Sequence, residues 1–246
     1  MRLKNKKLVI TGGATGIGHA TALYCADKGA MVFIADNNEI DGNKCVSKII
    51  EMGGKAWFLR TDVSIEEDVQ ILMETAEVKM AGIDGIVTAA AIARDSLVPI
   101  EDVSEQVWDA TIDINLKGCF FSSKYAVPIL KKTGGGVIVM IASGAGVTGG
   151  SSTISYGASK GGVNGLAMTL EAKLVDEGIR VNVVCPGEIR TPLKLGIIEQ
   201  QVHRLGSSAR SSKSNNDLGS PDYVARIIGF LLSDDADYVR GAIFTR

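Results

Sequence analysis

Histidine is scarce in this chain, occurring only as His19 and His203. Two histidines so far apart leave little material for a histidine-based triad or a zinc site. Cysteine is sparse too: Cys25, Cys45, Cys119 and Cys185 show neither paired nor metal-like spacing. They read as reduced, mostly buried thiols of a cytoplasmic protein, and no metal is expected. An excess of one charge sign is missing, because 26 basic and 28 acidic residues leave a formal net charge of −2. That balance creates no field that would gather nucleic acid. Long apolar runs are absent. The start is basic, with Arg2, Lys4, Lys6 and Lys7, but Leu8-Val9-Ile10 is too short for the apolar core of a signal peptide. No segment reads as long and apolar enough to span a bilayer. Neither nucleic acid nor a membrane is an expected partner.

What the chain does have is an ordinary globular composition. It has 246 residues, 46% hydrophobic and 22% charged, enough for a sizeable core. Length alone allows one large domain or two small ones. Short apolar runs at 8–11, 31–35, 56–59, 85–88, 137–141 and 181–185 read as strands. Each is continuously apolar rather than alternating, which suits strands buried on both faces. Helical patterns at 16–28, 41–52, 65–80, 104–130 and 155–176 lie between them, and another follows at 221–232. Such alternation predicts an α/β fold, a doubly wound parallel sheet of Rossmann type. Without a linker, repeat or composition break before Pro192, residues 1–246 read as a single domain. The Ser- and Asn-rich stretch 192–220 carries Leu193, Ile197, Ile198, Val202 and Leu205 at helical spacing, and reads as an amphipathic lid followed by a loop.

Tyr156 and Lys160, four residues apart, share one helix face. An ammonium beside a phenol favours the phenolate, so the pair predicts a tyrosine titrating below its usual value of about 10. Such pairs are usually only solvated helix faces; the glycines upstream sharpen this one. Val9-Ile10-Thr11-Gly12-Gly13-Ala14-Thr15-Gly16-Ile17-Gly18 runs from a strand into a helix. Glycines there permit a tight turn close to a pyrophosphate, and the helix N-terminus offers free N–H groups. Asp36 ends the second strand, where a carboxylate accepts hydrogen bonds from a ribose and repels a 2′-phosphate. Asn37, Asn38 and Thr15 carry no positive charge, so NAD is expected over NADP; the bland reading of Asp36 is a capping or turn aspartate. Asp62-Val63 ends the third strand and either touches an adenine edge or caps the next helix, a cap Ser64 could also supply. Ser143 lies just past a strand, where loops of such sheets meet ligands.

Thr11-Gly12-x-x-x-Gly16-x-Gly18, Asp62, Asn115, Ser143, Tyr156-x-x-x-Lys160 and Pro186-Gly187 resemble, in order and spacing, the short-chain dehydrogenase/reductase family. The resemblance spans nearly the whole chain. It implies an oxidoreductase interconverting a secondary alcohol and a ketone, with Tyr156 as general acid/base and Lys160 tuning it and binding the nicotinamide ribose. It implies that Ser143 hydrogen-bonds the substrate oxygen and that Asn115 kinks its helix and anchors a relay water. Thr15, Ile17, Ala89, Ala90, Pro186, Gly187, Ile189 and Thr191 are implied to border the cofactor. A homotetramer or homodimer is implied as well, and Val163, Leu166, Met168 and Leu170 look like apolar surplus suited to a partner subunit. An NADP-linked carbonyl reductase, or a nucleotide-binding regulatory protein without turnover, is the alternative.

The chain departs from the family pattern in two places. Thr88-Ala89-Ala90-Ala91 stands where the family usually has Asn-Asn-Ala-Gly, so the Ala91 methyl is expected to weaken cofactor affinity somewhat. After Ala242-Ile243-Phe244 the usual Asp-Gly-Gly tail is missing, which is expected to weaken a subunit contact or a pocket wall. Lys194, His203, Arg204, Arg210 and Lys213 give the lid segment a basic character. Arg210 and Lys213 read either as a clamp for an anionic substrate or as solubilising charges on a loop.

Overall fold

Seven strands form one parallel sheet in the order β3-β2-β1-β4-β5-β6-β7. They are β1 (Lys7–Thr11), β2 (Met31–Asp36), β3 (Lys55–Arg60), β4 (Gly85–Thr88), β5 (Gly136–Ile141), β6 (Ile179–Cys185) and β7 (Gly241–Phe244). The computed structural model describes residues 3–205 and 218–245. Among the described residues eight α-helices connect and flank the strands: α1 (Gly16–Asp27), α2 (Glu39–Glu51), α3 (Glu66–Met80), α4 (Glu105–Ile112), α5 (Gly118–Lys132), α6 (Ile154–Leu174), α7 (Pro192–Leu205) and α8 (Pro221–Leu232).

The unbroken apolar runs have a simple cause, since neighbouring residues of one strand serve opposite cores. Leu8 and Ile10 pack with Cys25 of α1, Ile49 of α2 and Ile228 of α8. Val9, between them, packs with Leu72 of α3, Leu130 of α5 and Val163 of α6. Helices thus cover both faces, as parallel strands require. Among the described residues no helix is long and apolar enough to cross a membrane.

Two elements differ from the sequence reading. The helix expected over 104–130 is two helices, α4 and α5, joined by a π-helical turn at Asp113–Lys117. There the Gly118 N–H reaches back to the Asp113 carbonyl. Asn115 sits in this turn, fully buried, and its side chain is committed to a neighbouring loop. Bulges of this kind are frequent at functional sites. β7 went unforeseen because it is a short edge strand, only partly covered. Ala91, the unusual alanine after β4, is not among the residues with positive φ, so its methyl group strains no backbone.

Candidate active site

The strand order reverses between β1 and β4, and a cavity of about 980 Å³ opens there at their carboxyl ends. Such switch points are where doubly wound sheets bind ligands. Gly12 follows β1 with φ +66°, and a Cβ there would stand 2.5 Å from the Ala90 backbone nitrogen. Only glycine lets these two loops pass. Gly18 lies outside the cavity wall; a side chain at that position would collide with the Gly12 carbonyl, so its absence seats α1 against the loop. Thr15 is the N-cap residue of α1, yet its side chain caps no helix N–H, and the first turn holds no acid. The free N–H groups and the helix dipole therefore suit an anion.

Thr15, Gly16, Ile17, Asp36, Asp62, Val63, Ala89, Ala90, Pro186, Gly187, Ile189 and Thr191 all line the same cavity. Asp36 accepts the Ala14 N–H at 3.0 Å and the Asn38 N–H at 3.0 Å. It thereby ties the glycine loop to the end of β2 while facing the cavity. Asp62 accepts from the Ser64 N–H at 2.9 Å and the Ser64 hydroxyl at 2.6 Å, so Ser64 serves this turn instead of capping α3. The cradle, the anion-ready helix end and the carboxylate at the end of β2 together fit a dinucleotide.

Ser143, Tyr156 and Lys160 line the cavity next to this cradle. The Ser143 hydroxyl accepts the Ala145 N–H at 3.2 Å. Lys160 is 2% exposed and donates to the Ile141 carbonyl at 2.6 Å, with its ammonium 5.6 Å from the centre of the Tyr156 ring. Burial pushes the Lys160 ammonium below the usual lysine range. Burial pushes the Tyr156 phenol above its usual value, while a hydrogen bond with Ser143 pulls the other way. This corrects the lowered tyrosine expected from Lys160. In this state the ammonium points at main chain, and desolvation decides the direction.

Asn115 does not face the cavity. It accepts the Ile92 N–H at 2.8 Å and donates to the Ile92 carbonyl and to the Ser159 hydroxyl, both at 3.0 Å. Both amide hydrogens are spent on the protein, which leaves the side chain none for a relay water.

The remaining wall includes an apolar side made by Leu97, Ile114, Ile197, Ile198, Val202 and Leu205. α7 is fastened over it by two adjacent amides that the sequence reading missed. Gln200 accepts the Ser96 N–H at 3.3 Å and donates to the Ala93 carbonyl at 3.1 Å. Gln201 donates to the Ser96 and Ser152 hydroxyls at 3.2 and 3.1 Å. The only signal for them was a pair of glutamines bordering the apolar stripe of Ile197, Ile198 and Val202. Lys194 pairs with Glu188 at 2.8 Å, which neutralises it. Arg210 and Lys213, the suggested clamp, lie outside the described residues. Of the apolar surplus on α6, Val163 is core, Leu166 and Leu170 pack against it, and Met168 is exposed.

Residues 6–201 match the family profile described as short chain dehydrogenase. The chain belongs to this family. As a short-chain dehydrogenase it is an oxidoreductase acting on CH–OH groups with a nicotinamide dinucleotide. It is 36% identical over 241 residues to the cyclohexanol dehydrogenase of Acinetobacter sp. (strain SE19), covering 98% of this chain and 93% of that protein. It is 35% identical over 243 residues to the 3-oxoacyl-(acyl-carrier-protein) reductase FabG of Thermotoga maritima, covering 99% and 96%. The crystal structure of levodione reductase superposes with a TM-score of 0.89 at 27% identity, covering 99% of this short-chain dehydrogenase and 96% of that chain.

Proposed function

We propose that this protein is an NAD-dependent dehydrogenase of compact, neutral alicyclic secondary alcohols, with Tyr156 as general acid/base. One observation carries the reading. The Ser143–Tyr156 pair opens onto an apolar wall whose described lysine, Lys194, is cancelled by Glu188. The likeness to a cyclohexanol dehydrogenase supports it.

In this reading the glycine loop from Gly12 to Gly18 holds the pyrophosphate, Asp36 the adenosine ribose, and Asp62 with Val63 the adenine edge. Ala89, Ala90, Pro186, Gly187, Ile189 and Thr191 would border the nicotinamide half, and Lys160 would bind its ribose. The bound cofactor supplies the hydride acceptor or donor. The protein's own task is to place the substrate carbon and move one proton. The Ser143 hydroxyl hydrogen-bonds the substrate oxygen. Tyr156 takes the proton from the alcohol, or returns it to the ketone. α7 acts as a lid and excludes water. Asn115 works by holding Ile92 and Ser159 in place.

Asp36 decides between this reading and an NADP-linked carbonyl reductase. A 2′-phosphate would meet its carboxylate at close range, so cyclohexanol oxidation should show a higher kcat/KM with NAD than with NADP. Asp36→Ala should narrow that ratio by roughly tenfold or more, the factor that about 1.4 kcal/mol of relieved repulsion corresponds to. Equal efficiency with both cofactors in the wild type removes this role from Asp36. Activity on acyl thioesters but on no cyclic alcohol replaces the substrate assignment.

The proposal includes assembly as a homotetramer or homodimer. Trp108 on α4 and Phe120 on α5 are exposed, as are Met168 on α6 and Phe244 on β7. Exposed aromatic and sulfur side chains of this size favour burial against another copy. Light scattering at micromolar concentration should give a mass of two or four chains of 25.9 kDa; a single-chain mass counts against the interface.

A further inference from the structure

We infer that Asp95 is a positioning residue for the reaction, the remote mount that fixes Tyr156 at the start of α6. The inference rests on the assignment of Tyr156 as acid/base. Asp95 is 1% exposed, and the two oxygens of its carboxylate go to one residue. Oδ2 accepts the Ser155 N–H at 2.8 Å and Oδ1 accepts the Ser155 hydroxyl at 2.9 Å. Ser155 immediately precedes Tyr156.

A carboxylate is costly to bury, so its setting has to compensate. Here the setting is the N-terminus of α6. That helix lacks the usual means of finishing its own first turn. Its N-cap residue, Thr153, makes no side-chain bond to the helix, and its first turn contains no acid. Thr153 is engaged instead with Ser151, through its own N–H at 3.1 Å and through the hydroxyl pair at 2.9 Å. Asp95 therefore caps α6 from 60 residues away and meets the positive end of the helix dipole.

A second tether rises from the same loop. Ile92, three residues before Asp95, is gripped by Asn115, and Asn115 donates to Ser159. Ser159 in turn donates to the Tyr156 carbonyl at 2.8 Å. Tyr156 is thus bracketed: Asp95 holds the residue before it, and the Ile92–Asn115 link holds the residue three positions after it. On either side of Asp95, Ala93 and Ser96 meet the two glutamines of α7. Residues 92–96 are one mount shared by the acid/base and its cover.

The test compares Asp95→Asn, Ser155→Ala and Tyr156→Phe in purified full-length protein with NAD and cyclohexanol. Asparagine keeps the size of Asp95 but offers one acceptor oxygen instead of two. Misplacement of a catalytic group by about 1 Å can cost up to about 10²-fold. Asp95→Asn should therefore lower kcat per folded molecule by roughly tenfold or more, with much smaller changes in KM and in the Kd for NAD. Ser155→Ala should give a smaller loss of the same kind. The double variant should be no worse than Asp95→Asn alone, because both act on one contact. Hydrogen exchange at the Ser155 amide should quicken in Asp95→Asn, a readout independent of turnover. The inference is overturned if Asp95→Asn merely lowers Tm and keeps the wild-type kcat, or if the two single losses add. If Tyr156→Phe stays active, the acid/base assignment itself fails and the mount loses its purpose. If Tyr156→Phe is inactive while Asp95→Asn turns over normally, only the mount is wrong.

Discussion

Tyr156→Phe should abolish nearly all turnover while leaving the fold and NAD binding intact. The substitution removes one oxygen and keeps the ring, so the cavity wall is unchanged. Loss of a positioned general acid/base costs roughly 10²–10⁴-fold. The pH profile gives the sharper check. Burial holds the phenol above its usual value, so the base form needed for alcohol oxidation is scarce at neutral pH. Oxidation by the wild type should therefore climb as pH rises toward the alkaline range. Ketone reduction, which needs the acid form, should hold up at neutral pH and decline there instead. The residual rate of the Phe variant should show neither trend. A variant with near wild-type kcat, or with the same alkaline climb, would move the proton transfer to another group.

Lys160→Met should separate activity from stability. Lys160 is buried, and its ammonium donates to one carbonyl, that of Ile141. Among the described residues no ion pair offsets the burial of that charge, which is why its pKa falls. Methionine has a similar length and no charge to desolvate. Turnover should drop by about 10²–10³-fold, the scale for losing a preorganised electrostatic group, and the Kd for NAD should rise. Tm should increase nonetheless. A gain of about 1 kcal/mol corresponds to about 2–4 °C in a chain of this size. The sign of the pH dependence follows from linkage. Because the folded-state pKa lies below the unfolded one, the wild type carries the full cost of its buried charge at pH values below the folded pKa. That cost fades as pH rises toward the ordinary lysine range, so the Tm advantage of the variant should shrink there. A Met variant less stable than the wild type at neutral pH would mean that the Ile141 contact outweighs desolvation.

These two residues were legible in the sequence because their signals are local. Tyr156 and Lys160 share a helix face by spacing alone, and the glycines mark a turn that only glycine can make. Six of the strands were legible because each is a continuous apolar run. Asp95 gave no such signal. It looks like any loop aspartate until the chain brings Ser155 to it from 60 residues away. Gln200 and Gln201 were hidden for the same reason, since their partners at Ala93, Ser96 and Ser152 lie about 50 to 107 positions off. The break at Asp113–Lys117 was invisible to periodicity, because a π-helical turn adds one residue without disturbing the apolar pattern on either side. The direction of the Tyr156 shift was misjudged because spacing shows a neighbouring charge but not the burial that opposes it.

The closure of α7 near its C-terminal end is made by amides, hydroxyls and main chain. Salt screens charges and pH titrates them, and these groups carry none. The grip of Gln200 and Gln201 on the Ala93–Ser96 loop is therefore indifferent to ionic strength and to acidity. The first turn of α7 is held by opposite charges, through Lys194 and Glu188. The glutamine part of the closure thus keeps the same balance at every pH where the protein stays folded. Salt can slacken the first turn of α7 but leaves the glutamine clasp in place.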